Sequence, residues 1–375
     1  MKNFTLAVAL LITFSVQSQI GMGTPNPDPS AVLELASTQK GFLPPRLTTL
    51  QRNAIVQPAE GLTIYNTDKD CLEWYIASQW YNSCGDNLPA VVANYTCSTL
   101  ETGTMTAGDP VYGVSQTITA DVSAPGSYDI SATNNGVTFS AKGYFTSKGN
   151  HDVILRATGI PVAIGFHKFT LNTTPGCDFE RPTIDATTVV GNARKIWMAY
   201  NLGATAPATS STDITQYGDL YQWGRRTDGH EKFNSPLTTT LSSTDDPNHD
   251  KFITVTVTPY DWRSTANDAL WQGAGGANNP CPAGFRIPTL QEWEDEFTAS
   301  NIVDPATAYN SVLKLPLARY RQHRTGSYVS GTDSYYWTSD IDPNTYPYNI
   351  KISVNGNGTR STYRGFGLSV RCIQD

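Results

Sequence analysis

The stretch CPAGFRIPTLQEWEDEF, from Cys281 to Phe297, decides how the C-terminal half of the chain is interpreted. Thr289 and Glu292 have the three-residue spacing of a capping box, so a helix is predicted to begin directly after Thr289. Three apolar residues then recur at i, i+3 and i+7 and would form one buried face: Leu290, Trp293 and Phe297.

Four carboxylates lie in the same stretch. Helical spacing places Glu292, Asp295 and Glu296 opposite the apolar face, and Glu294 at its border. Acidic residues in a first turn favour the positive end of a helix by about 0.3–1 kcal/mol each, which explains them without any chemistry. A metal or sugar contact and general acid–base catalysis are the alternatives. Nothing in the sequence indicates the raised pKa that general acid catalysis needs.

The composition excludes several classes of partner. The 375 residues suggest two or three domains. A net charge of −7 with 16% charged residues and no basic stripe argues against nucleic acid or an anionic membrane surface as partner. Residues 1–18 combine Lys2 with a short apolar run and predict a cleaved signal peptide. No other run has membrane length, so we expect no transmembrane segment and a secreted, cell-surface or extracellular protein.

The number of cysteines is consistent with an exported protein. An even number of cysteines in an oxidising compartment predicts three disulfides. Cys71 lies on one predicted strand and Cys84 follows the next, which favours a local Cys71–Cys84 bridge. Cys97 and Cys177 bracket a strand-rich region and favour a bridge between its first and last strands.

Residues 19–92 are predicted to form a small β-rich segment. Short apolar pieces alternate with turn formers, as in GFLPPR (41–46) and GLTIYNTDKDCLEWY (61–75). A segment of this length buries little surface on its own. We therefore expect it to pack against a neighbouring domain or to self-associate. These motifs resemble segments near the N-termini of exported Bacteroidetes proteins and in some trimeric fibre proteins. The resemblance implies a homo-oligomer, with a trimer as one candidate.

Residues 93–180 show regular strand alternation. Ile118, Ala120 and Val122 face one way, and Asn135-Gly136 is a strong hairpin signal. Strands at this spacing predict an immunoglobulin-like antiparallel β-sandwich that would act as a spacer.

Residues 181–375 carry a family resemblance. KIWMAYNLG (195–203), YGDLYQWGR (217–225), NPCPAGFRIPTLQEWE (279–294), YYWTSD (335–340) and RGFGLSVRCIQD (364–375) occur in this order. Together they resemble the Fibrobacter major paralogous domain (FISUMP) family, which is related to C-type-lectin-like folds and to sulfatase-modifying enzymes. The resemblance implies an α+β C-type-lectin-like domain. The expected fold class is therefore multidomain and β-rich.

The sequence departs from the enzymes related to that family. Sulfatase-modifying enzymes use a pair of redox cysteines, whereas Cys281 and Cys372 match a structural bridge. Such a bridge would close a loop of about 90 residues, which the chain-entropy model values at about 4–5 kcal/mol. We therefore expect no enzymatic activity.

A ligand site is expected in YYWTSD and the loops around it. Aromatic rings there could stack on sugar faces, although tyrosines in such loops also commonly pack inward. The candidate ligand residues are Tyr335, Tyr336, Trp337 and Asp340. A basic-aromatic stretch from Arg319 to Arg324 could contact an acidic ligand, or could be a solvated strand edge.

Two loops have oxygen ligands at alternate positions, a pattern that suits calcium. The candidate metal ligands are Asp246, Asn248 and Asp250, and Asp340–Asn344 repeats the spacing. Neither loop continues as an EF-hand, and ordinary turn chemistry is the alternative. We expect no cofactor other than this candidate Ca²⁺.

The combined expectation is a secreted, non-catalytic binding or adhesion protein whose lectin-like C-terminal head recognises a glycan or a surface protein. The alternative is a structural subunit of an extracellular fibre or appendage, and an enzyme is the least supported class.

Overall fold

A computed structural model describes residues 19–76, 78–82 and 89–375. The predicted signal peptide, residues 1–18, and the Cys71–Cys84 bridge, through Cys84, lie outside the described residues. The fold is rich in β-structure and contains several separate sheets, which confirms the β-rich prediction. It divides into two compact units. The first holds the described residues up to Val91 with 124–127 and 144–147, and the second holds 92–123, 128–143 and 148–375.

The first unit contains short strands and one short helix. A parallel pair joins β1 and β2, and a four-stranded sheet has the order β3-β4-β5-β6. The elements are β1 (Ile20–Met22), β2 (Leu33–Leu35), β3 (Arg46–Leu47), α1 (Thr49–Asn53), β4 (Thr63–Asn66), β5 (Cys71–Ile76) and β6 (Gln79–Asn82).

A buried carboxylate organises this four-stranded sheet. Glu73 is fully buried, and Arg52 Nη1 donates to both of its oxygens at 2.8 Å. Asn66 Nδ2 donates to the same carboxylate at 2.9 Å. A paired charge thus occupies the interior of this sheet, and removal of Arg52 alone would leave an uncompensated buried carboxylate.

The second unit begins with two sheets. A five-stranded sheet has the order β10-β11-β12-β9-β7, and a three-stranded sheet has the order β13-β14-β8. The strands are β7 (Val91–Thr102), β8 (Met105–Thr106), β9 (Ser115–Ala124), β10 (Gly126–Asn134), β11 (Val137–Phe145), β12 (Gly149–Gly159), β13 (Gly165–Thr170) and β14 (Asp178–Ile184).

Aromatic contacts pack these two sheets together. The ring of Phe139, on β11, lies 4.9 Å from that of Phe169 on β13 and 5.2 Å from that of Phe179 on β14. Asn135 and Gly136 have φ values of 48° and 75°, which is the turn that the Asn-Gly pair favours between β10 and β11. The expected inward residues Ile118, Ala120 and Val122 are buried, and a disulfide joins Cys97 and Cys177.

The rest of the second unit consists of short strands and two helices. Its sheets have the orders β15-β16-β27-β20, β17-β26-β21-β22, β18-β19 and β23-β24-β25. The elements are β15 (Thr188–Val190), β16 (Ile196–Met198), β17 (Tyr221–Gln222), β18 (Leu237–Thr238), β19 (Phe252–Ile253), β20 (Phe285–Arg286), α2 (Leu290–Ala299), α3 (Pro305–Asn310), β21 (Tyr320–Arg321), β22 (Tyr328–Val329), β23 (Asp333–Ile341), β24 (Pro347–Ser353), β25 (Gly358–Ser361), β26 (Gly367–Leu368) and β27 (Ile373–Gln374), with a 3₁₀ turn at Ile214–Gln216.

Buried tryptophans connect these short strands. Trp337 Nε1 donates to the Tyr221 carbonyl at 2.7 Å, and Trp223 Nε1 donates to the Thr338 carbonyl at 2.9 Å. Trp262 Nε1 in turn donates to the Trp223 carbonyl at 2.7 Å. Because the indole N–H of a buried tryptophan needs an acceptor, each ring both fills the core and ties two separate segments of this unit together. The Cys281–Cys372 disulfide packs against the same core.

Helix α2 begins as the opening stretch predicts, with one important difference. Thr289 and Glu292 form the capping box, and Trp293 is fully buried. Glu296, expected on the solvated face, is instead 0% exposed. Its carboxylate accepts hydrogen bonds from the backbone N–H groups of Asn192 and Ala193, each at 3.0 Å. The expectation fails because helical spacing does not show that another loop covers that face.

Arg286 anchors the start of the helix. Its two terminal nitrogens each lie 2.7 Å from a Glu292 oxygen. Partial burial alone would raise the pKa of Glu292, but the Arg286 hydrogen bond and the Thr289 backbone N–H hold it below its usual value.

In the described part of the chain, no helix combines the length and apolarity that crossing a membrane requires.

Candidate functional site

A cavity of about 280 Å³ lies against the sheet β23-β24-β25. We call it the Tyr335 cavity. Its lining residues are Tyr320, Tyr335, Asn349, Lys351, Arg360, Ser361, Thr362, Phe366 and Leu368. They lie on or directly beside five strands, β21, β23, β24, β25 and β26, so the cavity exists only in the folded unit.

Strand register brings the polar residues of the cavity together. Tyr335 on β23 pairs with Lys351 on β24, and Asn349 on β24 pairs with Arg360 on β25. Directly paired residues, and residues two apart on one strand, lie on the same face of a sheet. Ile350 lies between them and faces the other way, into the core around Trp293. The sheet therefore has one apolar face under α2 and one face that carries the cavity.

Aromatic rings form one wall of the cavity. The rings of Tyr320 and Tyr335 lie 5.4 Å apart in an edge-to-face arrangement, and Tyr320 lies 5.9 Å from Phe366. Burial raises the pKa of the Tyr335 hydroxyl. That hydroxyl therefore remains neutral at physiological pH and can donate or accept a hydrogen bond.

Two cations lie on the cavity face with different partners. Lys351 Nζ lies 2.8 Å from an Asp333 oxygen. The Asp333 hydrogen bond raises the pKa of Lys351, so this pair stays charged and is internally neutral. Arg360 is exposed and makes no ion pair with any described residue. The excess positive charge of the cavity is therefore that of Arg360.

Asn349 lacks partners for its amide. The residue is 1% exposed, and neither its Oδ1 nor its Nδ2 has a hydrogen-bond partner among the described residues. A buried unpaired polar group costs about 1–3 kcal/mol. An amide with both ends unpaired, in the lining of a cavity, is the feature that a polar ligand would relieve.

The structure separates the four ligand residues expected from YYWTSD. Tyr335 lines the cavity, whereas Tyr336 and Trp337 are each 0% exposed and pack in the core. The Tyr336 hydroxyl donates to the Pro316 carbonyl at 3.1 Å. This burial corrects the expectation that all the rings meet a ligand, because on a strand covered on both faces alternate residues enter different cores.

Asp340 contacts the first residue of helix α2. Its carboxylate accepts a hydrogen bond from the Leu290 backbone N–H, the first residue of α2. Carboxylates at that end of a helix satisfy free N–H groups and the helix dipole. This contact gives Asp340 a structural role, and ligand contact by Asp340 stays a prediction.

The expected calcium residues form a turn. Asp246 Oδ1 accepts from the Asn248 backbone N–H at 2.8 Å, and Asp246 Oδ2 lies 3.4 Å from Arg226 Nη1. Asn248 has a φ of 63°, and Asp250 is exposed. These contacts are those of an Asx turn with a surface ion pair, so calcium binding there stays a prediction.

Another group of candidate metal ligands comes together nearby. Donor atoms of Asp228, His230 and Glu231 lie within 4.8 Å of one another. His230 Nε2 accepts from the Gln222 backbone N–H at 3.0 Å, and its Nδ1 lies 2.6 Å from Asp228. Burial lowers the pKa of His230 to about 4. Because both ring nitrogens are used, the group functions as a buried hydrogen-bond network and would have to break to bind a metal.

A second buried histidine lies behind Phe366. The rings of His323 and Phe366 are 4.3 Å apart, and neither ring nitrogen of His323 has a partner among the described residues. Burial, and to a lesser degree the charge of Arg324, lowers the pKa of His323 to about 4. His323 is therefore neutral at physiological pH.

Sequence reasoning missed most of the cavity. The alternation in PYNIKIS (347–353), in which Asn349 and Lys351 alternate with Ile350 and Ile352, is the signal that could have indicated a polar face. Arg360 and Phe366 carry no such signal, since the pairing of β24 with β25 brings Arg360 there and packing beside Tyr320 brings Phe366.

Residues 21–99 match the family model described as "Phage tail like trimerisation region". No curated protein and no solved structure matches the chain. The N-terminal segment is thus similar to a trimerisation region.

Proposed function

We propose that the chain is a subunit of a homotrimeric extracellular fibre or appendage, and that its N-terminal segment forms the trimer. The match of residues 21–99 to a phage-tail-like trimerisation region is the observation that carries this proposal. It favours the structural alternative of the sequence analysis over a monomeric adhesin.

The distribution of apolar side chains in the first unit supports the trimer. Over the described residues from 19 to 82, Ile64 and Cys71 are buried, and Pro44 with them. Many more large apolar side chains are exposed, at 41–87%: Ile20, Met22, Val32, Leu33, Leu35, Phe42, Leu43, Leu50, Val56, Leu72 and Ile76. So many exposed apolar side chains in so short a segment favour an interaction surface there. Two further copies of the chain are the occupants that the family match favours.

Light scattering on the full chain tests the trimer. We expect a mass about three times that of one mature chain, which is slightly below the 40.8 kDa of the 375-residue sequence because the predicted signal peptide is removed. Leu50→Asp with Val56→Asp, at side chains 80% and 87% exposed, should dissociate it, because charges would enter the interface. Val257→Asp, at a side chain 71% exposed in the second unit, is the matched control and should leave the mass unchanged. A monomeric wild-type chain would refute the proposal.

We further propose that the second unit is the binding head of this fibre. The Tyr335 cavity supports a binding role, since concave sites with a few polar groups are the usual form of ligand sites. In this proposal, residues 93–180 are an immunoglobulin-like spacer and residues 181–375 are a C-type-lectin-like domain of the FISUMP family. The protein is secreted, non-catalytic and held at the cell surface, and the head takes a glycan or a surface protein.

A further inference from the structure

We propose that the Tyr335 cavity binds a single carboxylate-bearing sugar residue, such as a uronic or sialic acid. This assignment rests on the proposed binding head and specifies its ligand class. It does not depend on the trimer.

The unpaired amide of Asn349 indicates a ligand with neighbouring donors and acceptors. An amide offers one acceptor oxygen and two N–H donors. At 1% exposure it is largely shielded from bulk water, and no described residue satisfies it. A pair of adjacent sugar hydroxyls can accept from Nδ2 and donate to Oδ1 at once. An apolar ligand would leave the amide unpaired and keep its cost.

The aromatic wall supplies the apolar half of the site. Tyr320, Tyr335 and Phe366 lie in edge contact along one side of the cavity. A pyranose ring has a C–H face that packs on aromatic rings and hydroxyls at its edge. The cavity combines an aromatic side with a polar side, so it matches both parts of such a ring.

The charged side chains of the cavity favour an acidic sugar over a neutral one. Lys351 is neutralised by Asp333, and Arg360 has no ionic partner among the described residues. The arginine guanidinium matches a carboxylate through two parallel hydrogen bonds. A single uncompensated cation fits a ligand with one negative charge.

The size of the cavity limits the ligand to one sugar residue. Its volume of about 280 Å³ lies just below the range of about 300–1,000 Å³ that is typical of small-molecule sites. Because the cavity is open, the rest of a glycan chain can extend into solvent.

Calorimetric titration of the purified full chain tests the proposal. The probes are the methyl glycosides of glucuronic, galacturonic and N-acetylneuraminic acid, with methyl glucoside, glucose 6-sulfate and acetate for comparison. At least one carboxylate sugar should bind about tenfold or more tightly than methyl glucoside, because charge-assisted hydrogen bonds are stronger than neutral ones. It should also bind more tightly than acetate, which lacks the ring.

Variants separate the charge from the ring contacts. Arg360→Gln should remove most of the preference for the acidic sugar and leave methyl glucoside binding unchanged, and Arg360→Lys should restore part of the preference. Tyr335→Leu should weaken both sugars alike. Arg156→Gln, at an exposed arginine of β12 that does not line the cavity, is the matched control and should change neither.

Each negative outcome identifies what fails. Absence of binding by all three carboxylate sugars, or equal binding of the acidic sugar and methyl glucoside, overturns the assignment. Tighter binding of glucose 6-sulfate, or of acetate alone, overturns the choice of a carboxylate sugar. If the trimer persists by light scattering in those cases, the fibre proposal stands. A positive signal of the full chain on a neutral-glycan array would leave the binding head standing with another ligand.

Discussion

At the scale of single residues, the buried side chains of this protein hold loops as much as they fill space. Glu296 shows this most directly, since its carboxylate accepts from the backbone of Asn192 and Ala193 and from Ser300 Oγ at 2.6 Å. At Gly191, any Cβ atom would collide with that carboxylate. The glycine and the glutamate, more than 100 positions apart, therefore form one structural unit.

Replacing Glu296 with alanine should destabilise the second unit by about 3–5 kcal/mol, because two backbone donors lose a charged acceptor in the interior. Urea unfolding followed by tryptophan fluorescence measures this, since six of the eight tryptophans lie after residue 181. Asp295→Ala removes the neighbouring exposed carboxylate and should change stability by less than about 0.5 kcal/mol. Equal losses in the two variants would contradict the role assigned to Glu296.

His323 should make stability sensitive to acid. Its pKa is about 4 in the folded protein against the ordinary histidine value of 6.5, so the unfolded chain takes up the proton first as the pH falls. Stability is therefore lost between about pH 6.5 and pH 4, by up to about 1.4 kcal/mol per pH unit. The groups around the ring are Tyr260, Tyr363, Phe366 and Arg324, and none is an acid that could hold the proton.

His323→Phe, compared with wild type by urea midpoints at pH 7.0, 5.5 and 4.5, isolates this contribution. The variant should lose less stability on acidification. His230 contributes to the pH dependence of the free energy of unfolding in both proteins and so does not affect the comparison. Parallel pH curves would show that His323 does not contribute.

At the scale of elements, short strands in the second unit are stabilised by contacts between residues that lie far apart in the sequence. Several strands are two residues long, such as β17, β20, β26 and β27, and contribute little ladder bonding of their own. Tryptophan indoles and the Cys281–Cys372 disulfide connect them instead. The Tyr335 cavity combines both kinds of element, since Tyr335 and Asn349 lie on the longer strands β23 and β24 whereas Tyr320 and Leu368 lie on two-residue strands.

The double variant Cys281→Ser/Cys372→Ser should lose about 4–5 kcal/mol of stability, because the bridge spans 91 residues of the unfolded chain. Urea unfolding followed by tryptophan fluorescence measures this loss. Cys97→Ser/Cys177→Ser is a matched comparison, since its bridge spans 80 residues and should be worth nearly as much. A loss below about 1 kcal/mol in the first variant would contradict the loop-closure account.

At the scale of the whole molecule, local patterns were predictable and distant pairings were not. The alternation around Ile118, the Asn135-Gly136 turn and the Thr289 capping box depend on neighbours in sequence, and the structure contains each. The burial of Trp337 and Glu296 depends on which segments cover them, which no short window encodes. The cavity depends on the registers of β23, β24 and β25, so its polar residues could not be grouped from the sequence.

The position of β27 sets the order of events when this unit folds. Ile373 pairs with Trp197 on β16 and with Arg286 on β20, so the strand at residues 373–374 lies between two others in its sheet. Until those residues have been synthesised, β16 and β20 have nothing between them, and Cys281 has no partner. We therefore expect this sheet to close only once β27 is present, as a slow step, because contacts between residues far apart in the sequence form slowly.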